Sequence, residues 1–351
     1  MNVLKTKTQH KQSNMNKELL NKMISEKMVG VQKHPFCDLY IYNYTKQCTF
    51  SHTWNEVTMQ CRGLILDGDM NIVARPMRKF FNYEELDKNN IPDLPFKAYD
   101  KIDGSMGILY WAGDMPSIAT RRSFISEQAA HATEIYRERY INVPIDRSKT
   151  YIFEIVYPKD AKIVKYGDLD DLILLAIIDN ETGEEDDIKT MSEWFKTPKE
   201  YDAADYNTLR DKFAGDNREG FVVKFSNNFR MKMKYKDYLK SFKEKYYITD
   251  KIILNALIDR KMDDIYNLAK NADEEIRIYI DDTVNKFLDE YDAILCAAVK
   301  IFIRKEFSSR KEAAAYFLKF KELSCILFIM YDNKNPEQAI WNMMRKKYNH
   351  H

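Results

Sequence analysis

A lysine ahead of a tight turn is the first feature of the sequence that can do covalent chemistry. The segment Lys101-Ile102-Asp103-Gly104-Ser105 lies between two β-like runs. A lysine amine attacks only when it is unprotonated, and burial or neighbouring cations can lower the pKa of a lysine by several units. The glycine permits a tight turn that would place Lys101 beside a bound substrate. Taken alone, the pattern is more often an ordinary lysine-bearing hairpin turn.

A run of alternating cations follows further along, at Phe229–Lys236. At the two-residue period of a strand, the basic side chains share one face: Arg230, Lys232, Lys234 and Lys236. The apolar side chains take the other face, which suits a core: Met231, Met233 and Tyr235. Four neighbouring cations repel one another unless an anion compensates them, and a phosphate would do so. The alternative is an edge strand whose lysines guard against aggregation.

Two glutamates lie in or beside strongly apolar strands. Glu154 stands within Phe153-Glu154-Ile155, and Glu219 precedes Gly220–Lys224. A buried glutamate is costly unless it is hydrogen-bonded, paired or bound to a metal, whereas an exposed strand-face acid costs little. Upstream, Arg62 and Lys79 supply cations ahead of the lysine, although each alone would more often be a solvated surface charge.

Short β-rich runs broken by turns must position these residues. The runs are Leu39–Tyr44, Gly63–Leu66, Gly107–Trp111, Tyr151–Tyr157, Leu172–Ile178, Gly220–Phe225 and Phe229–Tyr235. Asp67-Gly68 and Thr182-Gly183 stand where hairpin turns would fall, and a helical stretch covers roughly Ser126–Tyr140. The pattern predicts an α+β domain with antiparallel sheets.

The character changes after about Tyr238. Apolar residues recur at three- and four-residue spacing, as in one long amphipathic helix: Val284, Phe287, Leu288, Tyr291, Leu295, Ala298 and Phe302. Ser309 followed by Glu312 predicts a capping box that opens a helix through Ala313–Met330. We therefore predict a first domain over residues 1–240, with about the first 16 residues disordered, and an all-α domain over 241–351.

Composition narrows the class of protein. The 351 residues carry 55 Lys and Arg against 54 Asp and Glu, so a polyanion site must come from local clustering. The first 16 residues lack the apolar core of a signal peptide, and Leu172–Ile178 is too short to span a bilayer. The cysteines form no C-x-x-C pair and are expected to be reduced: Cys37, Cys48, Cys61, Cys296 and Cys325. We expect a cytoplasmic protein, in the host cytoplasm if it is viral.

The candidate residues also form an ordered set. In order and spacing they resemble the motif series of covalent nucleotidyltransferases: Arg62, Lys79, Lys101, Glu154, Glu219, Lys232 and Lys234. The wording "YNY", "CRGLIL", "RPMRKFFN", "K-x-DGS", "SEQA", "FEIV-P", "EGFVV" and "K-x-K-x-x-x-Y" resembles the RNA ligase 1 family of T-even bacteriophages. The resemblance runs from about Tyr40 to Tyr238 and is specific as a set.

This resemblance implies a fold and an activity. The fold is an α+β antiparallel-sheet nucleotidyltransferase (ATP-grasp-like ligase) domain followed by an all-α C-terminal domain. The implied activity is an ATP-dependent RNA ligase that joins 5′-phosphate and 3′-hydroxyl ends through lysyl-AMP and RNA-adenylate. Its substrate would be RNA, including tRNA nicked in the anticodon loop, whose shape the helical domain could recognise. Neither a membrane nor a protein partner is implied.

The same resemblance assigns roles to residues. Lys101 would carry the AMP, and Lys232 and Lys234 would hold the α-phosphate. The other implied nucleotide contacts are Arg62 and Lys79 at the outer phosphates or the nucleotide itself, Glu154 at the ribose and Tyr42. Mg²⁺ is expected, with Glu219 and, by a looser match to "LIDRKMDD", Asp263 as metal contributors. An ordinary acid at a helix N-terminus explains Asp263 equally well.

Two residues depart from the family pattern. Arg121 stands where the relative has a lysine, and since Arg and Lys are not equivalent for phosphate geometry, we leave it out of the site. Ile102 is apolar where the relative carries an acid. The rival enzymes, DNA ligases and capping guanylyltransferases, place a barrel after the paired lysines, where this chain looks helical. A non-catalytic RNA-binding relative is the other alternative, although Lys101 and both paired lysines are present.

Overall fold

The computed structural model of the chain describes residues 15–213, 215, 217–238, 248–269 and 274–349. The chain divides into two compact units, Met1–Tyr238 and Leu239–His351. The predicted domain boundary at residues 240 and 241 lies outside the described residues, and so do residues 1–14 of the segment predicted to be disordered. Met15 is buried, and Asn16 caps the first helix.

Three sheets make up the first unit. The described strands are β1 (Val29–Lys33), β2 (Leu39–Tyr44), β3 (Arg62–Asp67), β4 (Ile72–Ala74), β5 (Phe81–Asn82), β6 (Phe96–Asp100), β7 (Ser105–Ala112), β8 (Met115–Thr120), β9 (Lys149–Val156), β10 (Asp171–Asp179), β11 (Glu185–Asp186), β12 (Glu200–Tyr201), β13 (Gly220–Phe225) and β14 (Arg230–Lys234). Sheet 1 has the order β1-β2-β3-β4, sheet 2 the order β11-β10-β9-β7-β8 and sheet 3 the order β12-β6-β13-β14-β5. Neighbouring strands are antiparallel, except that β14 and β5 are parallel. The predicted strands and the α+β class are confirmed.

Helices surround these sheets and fill the second unit. The first unit contains α1 (Lys17–Ser25), α2 (Lys46–Phe50), α3 (Glu56–Gln60), α4 (Glu127–Ile135) and α5 (Leu209–Lys212). The second contains α6 (Asp250–Ile258), α7 (Met262–Leu268), α8 (Glu274–Phe302), α9 (Arg310–Phe317), α10 (Ser324–Tyr331) and α11 (Glu337–Asn349). A π-helical turn, Tyr136–Tyr140, continues α4, so the predicted stretch Ser126–Tyr140 is helical, with Ser126 as its N-cap. The described residues of the second unit form no strand. None of the described helices is both long and apolar enough to cross a bilayer.

Sheet 2 is buried on both faces. On one face Leu172, Leu174 and Ile177 of β10 pack in a core with α4. On the other, Ala176 and Ile178 pack in a second core with residues of sheet 1. This double burial explains the unbroken apolar run in β10. Along β9, Glu154 follows the same alternation as Ile152, which packs in the core shared with sheet 1.

The helical prediction at Ala313–Met330 was wrong in one respect. The structure has two helices there, because i→i−3 bonds from Lys319 to Tyr316 and from Phe320 to Phe317 tighten the last turn of α9. Ser309 does cap α9, accepting from the Glu312 N–H, whereas the Glu312 carboxylate reaches Ser308. The predicted long amphipathic helix is α8, which buries Ile280, Phe287 and Ala298.

Candidate active site

A carboxylate between two lysines lies at the centre of the site. Glu219 Oε2 accepts a hydrogen bond from Lys101 Nζ at 2.7 Å, and its Oε1 lies 2.6 Å from Lys234 Nζ. The exposed fraction of the side chain is 0% for Glu219, 5% for Lys234 and 20% for Lys101. A buried carboxylate is tolerated because these cations compensate it. Of the three, Lys101 is the side chain that solvent, and therefore a substrate, reaches best.

Sheet 3 positions this group. Lys101 directly follows β6, and its N–H donates to the Gly220 carbonyl at 2.9 Å. Gly220 pairs with Lys234 across β13 and β14. It has a φ of 152°, and a Cβ there would lie 2.1 Å from the Met233 carbonyl oxygen. Only glycine lets β14 come this close, which places Lys234 beside Glu219.

Glu154 meets the turn after Lys101 through Gly104. Its Oε1 accepts a hydrogen bond from the Gly104 N–H at 3.0 Å. A Cβ on Gly104 would lie 2.4 Å from the Ile155 carbonyl oxygen and 2.9 Å from Glu154 Cγ. The glycine is therefore required by the close approach of β9, and its backbone is not in the positive-φ region that a glycine turn would use. The space left by the missing side chain, and not a positive φ, is therefore what requires glycine here.

Burial raises the pKa of the Glu154 carboxyl to about 8. The nearby charges of Glu219 and Asp103 push it the same way, while Lys101 and the Gly104 hydrogen bond oppose them. Glu154 is consequently a neutral acid over much of the physiological range, able to donate as well as accept a hydrogen bond.

Asp103 organises the turn, a role that sequence reasoning missed. Its Oδ2 accepts the N–H groups of Ile163 and Val164, both at 2.8 Å, and its Oδ1 accepts from the Tyr238 hydroxyl at 2.9 Å. The Asp103 N–H donates to the Tyr166 hydroxyl at 2.8 Å. Tyr238 is the tyrosine of the "K-x-K-x-x-x-Y" pattern, and Lys234 Nζ lies 5.0 Å from its ring centroid. The two lysine motifs are thus joined through Asp103 and Tyr238.

Arg62 and Lys232 meet at one aromatic ring. The Arg62 guanidinium lies 5.5 Å and Lys232 Nζ 5.9 Å from the centroid of Phe80. Arg62 Nη1 also contacts Met106 Sδ at 2.9 Å, and Met106 is opposite Glu154 across β7 and β9. A ring face attracts cations without neutralising their charge. The Phe80 ring therefore brings Arg62 and Lys232 to one place beside the strand of Glu154.

Lys79 is buried and surrounded by rings. Its Nζ lies 5.6 Å from the ring centroid of Tyr44, 5.3 Å from Trp54 and 5.2 Å from Phe81. Arg121 stands at the same tyrosine, with Nη1 donating to the Tyr44 hydroxyl at 3.0 Å and the guanidinium 5.3 Å from the ring centroid. The structure therefore joins Arg121, which sequence reasoning left out, to the predicted cation Lys79.

Two further predicted residues are Tyr42, in the first unit, and Asp263, in the second. Tyr42 is buried in the core beneath α1 and α3, and its hydroxyl lies 3.7 Å from Met70 Sδ. Its contact with a nucleotide stays a prediction, for which Tyr44 of the same "YNY" segment is a second candidate. Asp263 is exposed in the first turn of α7, in the second unit. Its metal role also stays a prediction.

The alternating cations of β14 have protein partners. Glu185 pairs with Arg230, its Oε1 2.6 Å from Nη1, and with Lys224 at 2.8 Å. Glu219 compensates Lys234 in the same way. The anions that the row was expected to need are therefore, for Arg230 and Lys234, carboxylates of the protein itself. Met231 and Met233 fill the core on the other face, as the alternation predicted.

The magnesium site expected at these carboxylates stays a prediction. Within the described parts of the chain, no group of three or more His, Cys, Asp or Glu side chains is placed to hold a metal. Mg²⁺ needs few protein ligands when phosphates and water complete its octahedron. Both oxygens of Glu219 already face lysines, so Glu219 must release one to bind a metal, whereas Glu154 needs only to lose its proton.

A lysine paired with a buried carboxylate, a second carboxylate and cations packed against aromatic rings form a site suited to phosphoryl transfer. The chain belongs to the T4 RNA ligase 1 family, whose model, described as RNA ligase, matches residues 60–247, more than half of the chain. No curated protein matches it.

Solved structures similar to the chain include two ligases. A mutant of Naegleria gruberi RNA ligase with ATP and Mn is 18% identical, covering 42% of this chain and 51% of that one, with a TM-score of 0.33. A putative ATP-dependent DNA ligase from Aquifex aeolicus is 13% identical over 88% of each chain, with a TM-score of 0.43. The chain spans about half the length of the Naegleria gruberi ligase.

Proposed function

We propose that the protein is an ATP-dependent RNA ligase that seals 5′-phosphate to 3′-hydroxyl ends. The observation that carries this proposal is the pairing of Lys101 with a fully buried Glu219 that also contacts Lys234. An exposed surface lysine does not need a buried carboxylate shared with a second lysine. The shared carboxylate places the ammonium of Lys234 beside Lys101, and a neighbouring cation is one of the ways in which a lysine nucleophile is activated. Family membership supplies the reaction class.

In the first step Lys101 Nζ attacks the α-phosphorus of ATP. A P–N bond forms, the bond to the bridging oxygen breaks, and pyrophosphate leaves. Glu219, 2.7 Å from Nζ, accepts the ammonium proton before attack. Once Glu219 is protonated, it attracts the Lys234 ammonium less strongly. Lys234 can then contact the negative charge that develops on the α-phosphate. Lys232 supports it from β14.

In the second and third steps the AMP passes to RNA and then leaves. An oxygen of the RNA 5′-phosphate attacks the AMP phosphorus, and Lys101 departs, taking up a proton. A 3′-hydroxyl then attacks the activated 5′-phosphorus, forms the phosphodiester and releases AMP. Glu154 holds a ribose hydroxyl, for which a carboxyl that both donates and accepts is suited. Arg62, Lys79 and Arg121 act earlier, in the first step, where they contact the outer phosphates before pyrophosphate leaves.

Magnesium, when bound, neutralises the phosphates and favours in-line displacement. Glu154 and Glu219 are the described carboxylates nearest to Lys101 by contact and charge, and Asp263 remains a third proposed contributor. The second unit, helical in its described part, is proposed to read the shape of structured RNA such as nicked tRNA, in a role in RNA repair.

A sealing assay tests this function. A 5′-labelled single-stranded RNA with a 3′-hydroxyl should be circularised or joined in the presence of ATP and Mg²⁺, and a Lys101→Arg protein should leave it linear. A DNA strand of the same sequence distinguishes the DNA-ligase alternative. Sealing of DNA but not RNA would contradict the proposal, and RNA binding without any sealing would favour a non-catalytic relative.

A further inference from the structure

We propose that the loop Pro158–Gly167 binds the phosphate backbone of the RNA strand whose 5′ end is activated, through Lys159 and Lys165. This inference rests on the proposed ligase function and adds a substrate-binding surface to it. The loop follows β9, the strand that carries Glu154, and runs beside the turn that carries Lys101. Its position and its charges support the proposal independently.

The loop is fastened to the nucleophile's turn at two points. Asp103, two residues after Lys101, accepts the N–H groups of Ile163 and Val164 at 2.8 Å. Ser105 Oγ donates to Asp160 Oδ2 at 2.6 Å. Any strand lying on this loop is therefore held at a fixed place relative to the lysine.

A third fastening joins the loop to the strand of Glu219. Asn217, two residues before Glu219, accepts the Lys165 N–H at 2.7 Å and donates to the Lys165 carbonyl at 2.8 Å. Asn217 has a φ of 58°, a left-handed conformation that asparagine tolerates better than most residues. Two side-chain hydrogen bonds to one residue fix the main chain of Lys165 while its side chain stays exposed.

The lysines of this loop differ in whether they form an ion pair. Lys162 pairs with Asp160 at 2.7 Å, and Gln128 also donates to Asp160. Lys159 and Lys165 are exposed, and neither forms an ion pair with any described residue. At the far end, Asp170 pairs with His131 and Arg139, while Asp168 is exposed. The two exposed lysines thus place positive charge near both ends of the loop, and no described carboxylate pairs with it.

A polyanionic strand fits this arrangement better than a single phosphate. The two lysines stand near opposite ends of a loop that is pinned between them, so they suit two phosphates of one strand better than a single phosphate. Each phosphate contact of a lysine to a single strand contributes about 0.7 to the slope of log affinity against log salt. The triphosphate of ATP offers the same phosphate chemistry, so the test must separate the two ligands.

The experiment compares full-length wild type with the double variant Lys159→Ala/Lys165→Ala. The matched control is Lys22→Ala/Lys88→Ala, which removes two exposed lysines outside the loop. The adenylated proteins are mixed with excess 5′-phosphate RNA at several salt concentrations, and RNA-adenylate formation is followed. Self-adenylation and the KM for ATP are measured on the same preparations, together with melting temperatures.

We expect the loop variant to self-adenylate like wild type, with an unchanged KM for ATP. Its KM for RNA should rise roughly tenfold, and the salt slope should become shallower by about 1.4, whereas the control keeps wild-type values. An unchanged RNA KM and salt slope would overturn the proposal and leave the ligase function standing. A raised KM for ATP with unchanged RNA KM would assign the lysines to the nucleotide and also overturn it. A wild type that cannot self-adenylate would instead contradict the ligase function.

Discussion

Lys101 and Glu219 lie 118 positions apart in the sequence, and the ammonium of one donates to the buried carboxylate of the other at 2.7 Å. The Glu219 carboxylate has no access to solvent, so the surrounding sheet, and not water, fixes the position of the carboxylate beside Lys101. Such a pair stabilises the folded protein only while both partners remain. It links the chemistry of the site to the stability of the fold.

Replacing Glu219 should lower both the stability of the protein and the rate of adenylate formation. Glu219→Gln leaves two lysines without their carboxylate, and loss of one partner of a buried pair costs roughly 3–5 kcal/mol of folding free energy. Adenylate formation should fall at least about a hundredfold, because no group accepts the Lys101 proton. Melting curves and labelled-adduct rates measure the two effects, with the exposed Glu181→Gln as control. Wild-type melting and adduct formation in Glu219→Gln would remove Glu219 from the mechanism.

Gly104 should tolerate no side chain. Its added Cβ would press on the Ile155 carbonyl oxygen at 2.4 Å, and backbone cannot move aside as a side-chain end can. We expect Gly104→Ala to cost about 1–3 kcal/mol of stability and to displace the turn that carries Lys101. Gly30→Ala, where the nearest atom is 3.7 Å away, is the control. Equal melting temperatures and adduct rates for the two variants would show that the approach of β9 is not constraining.

Glu154 should give the stability of the protein a specific pH dependence. Its folded-state pKa of about 8 is above the ordinary value of 4.5, so between these values the folded form binds the extra proton. Stability from this group is therefore highest at the acidic end and falls as pH rises from about 4.5 to about 8. Glu154→Gln should remove that slope from melting temperatures, whereas Glu181→Gln should keep it. A slope unchanged in Glu154→Gln would contradict the raised pKa.

The rings around Lys79 should set nucleotide affinity. Trp54→Leu removes one ring 5.3 Å from the ammonium, and a cation–π contact of about 0.5–2 kcal/mol corresponds to roughly a 2- to 30-fold rise in the KM for ATP. Tyr44→Phe, which removes the partner of Arg121, should raise it in the same direction. Tyr42→Phe is the comparison: an increase there, with Tyr44→Phe silent, would favour Tyr42 as the nucleotide contact.

The local spacing of apolar and polar residues was sufficient to predict much of the fold. The alternation in β14 placed Met231 and Met233 in the core because a strand has a fixed period of two. The helical stretch Ser126–Tyr140 was predicted from equally local signals, and the structure adds that Ser126 is its N-cap. The split between α9 and α10 was not predictable, because their apolar spacing continues across it and only the hydrogen bonds of the last turn end the helix.

The sequence suggested a set of residues for the site, but it could not show the contacts that bring Lys101, Glu219 and Lys234 together. Asp103 and Tyr238 are 135 positions apart in the sequence but form a hydrogen bond. The residues next to each of them in the sequence do not indicate this contact. Arg121 was left out because of its residue type, yet its position beside Tyr44 is decided by packing. Arg230 was expected only to need a compensating anion, and the sequence does not show that Glu185, from another sheet, supplies it.

The most direct test is the identity of the residue that carries AMP. The full-length protein, incubated with α-labelled ATP and Mg²⁺, should acquire a single acid-labile label, and peptide mass spectrometry should place AMP on Lys101. Lys101→Arg should acquire none while melting close to wild type. An adduct that persists in Lys101→Arg, or that maps to Lys232 or Lys234, would contradict the assignment of Lys101 as the nucleophile.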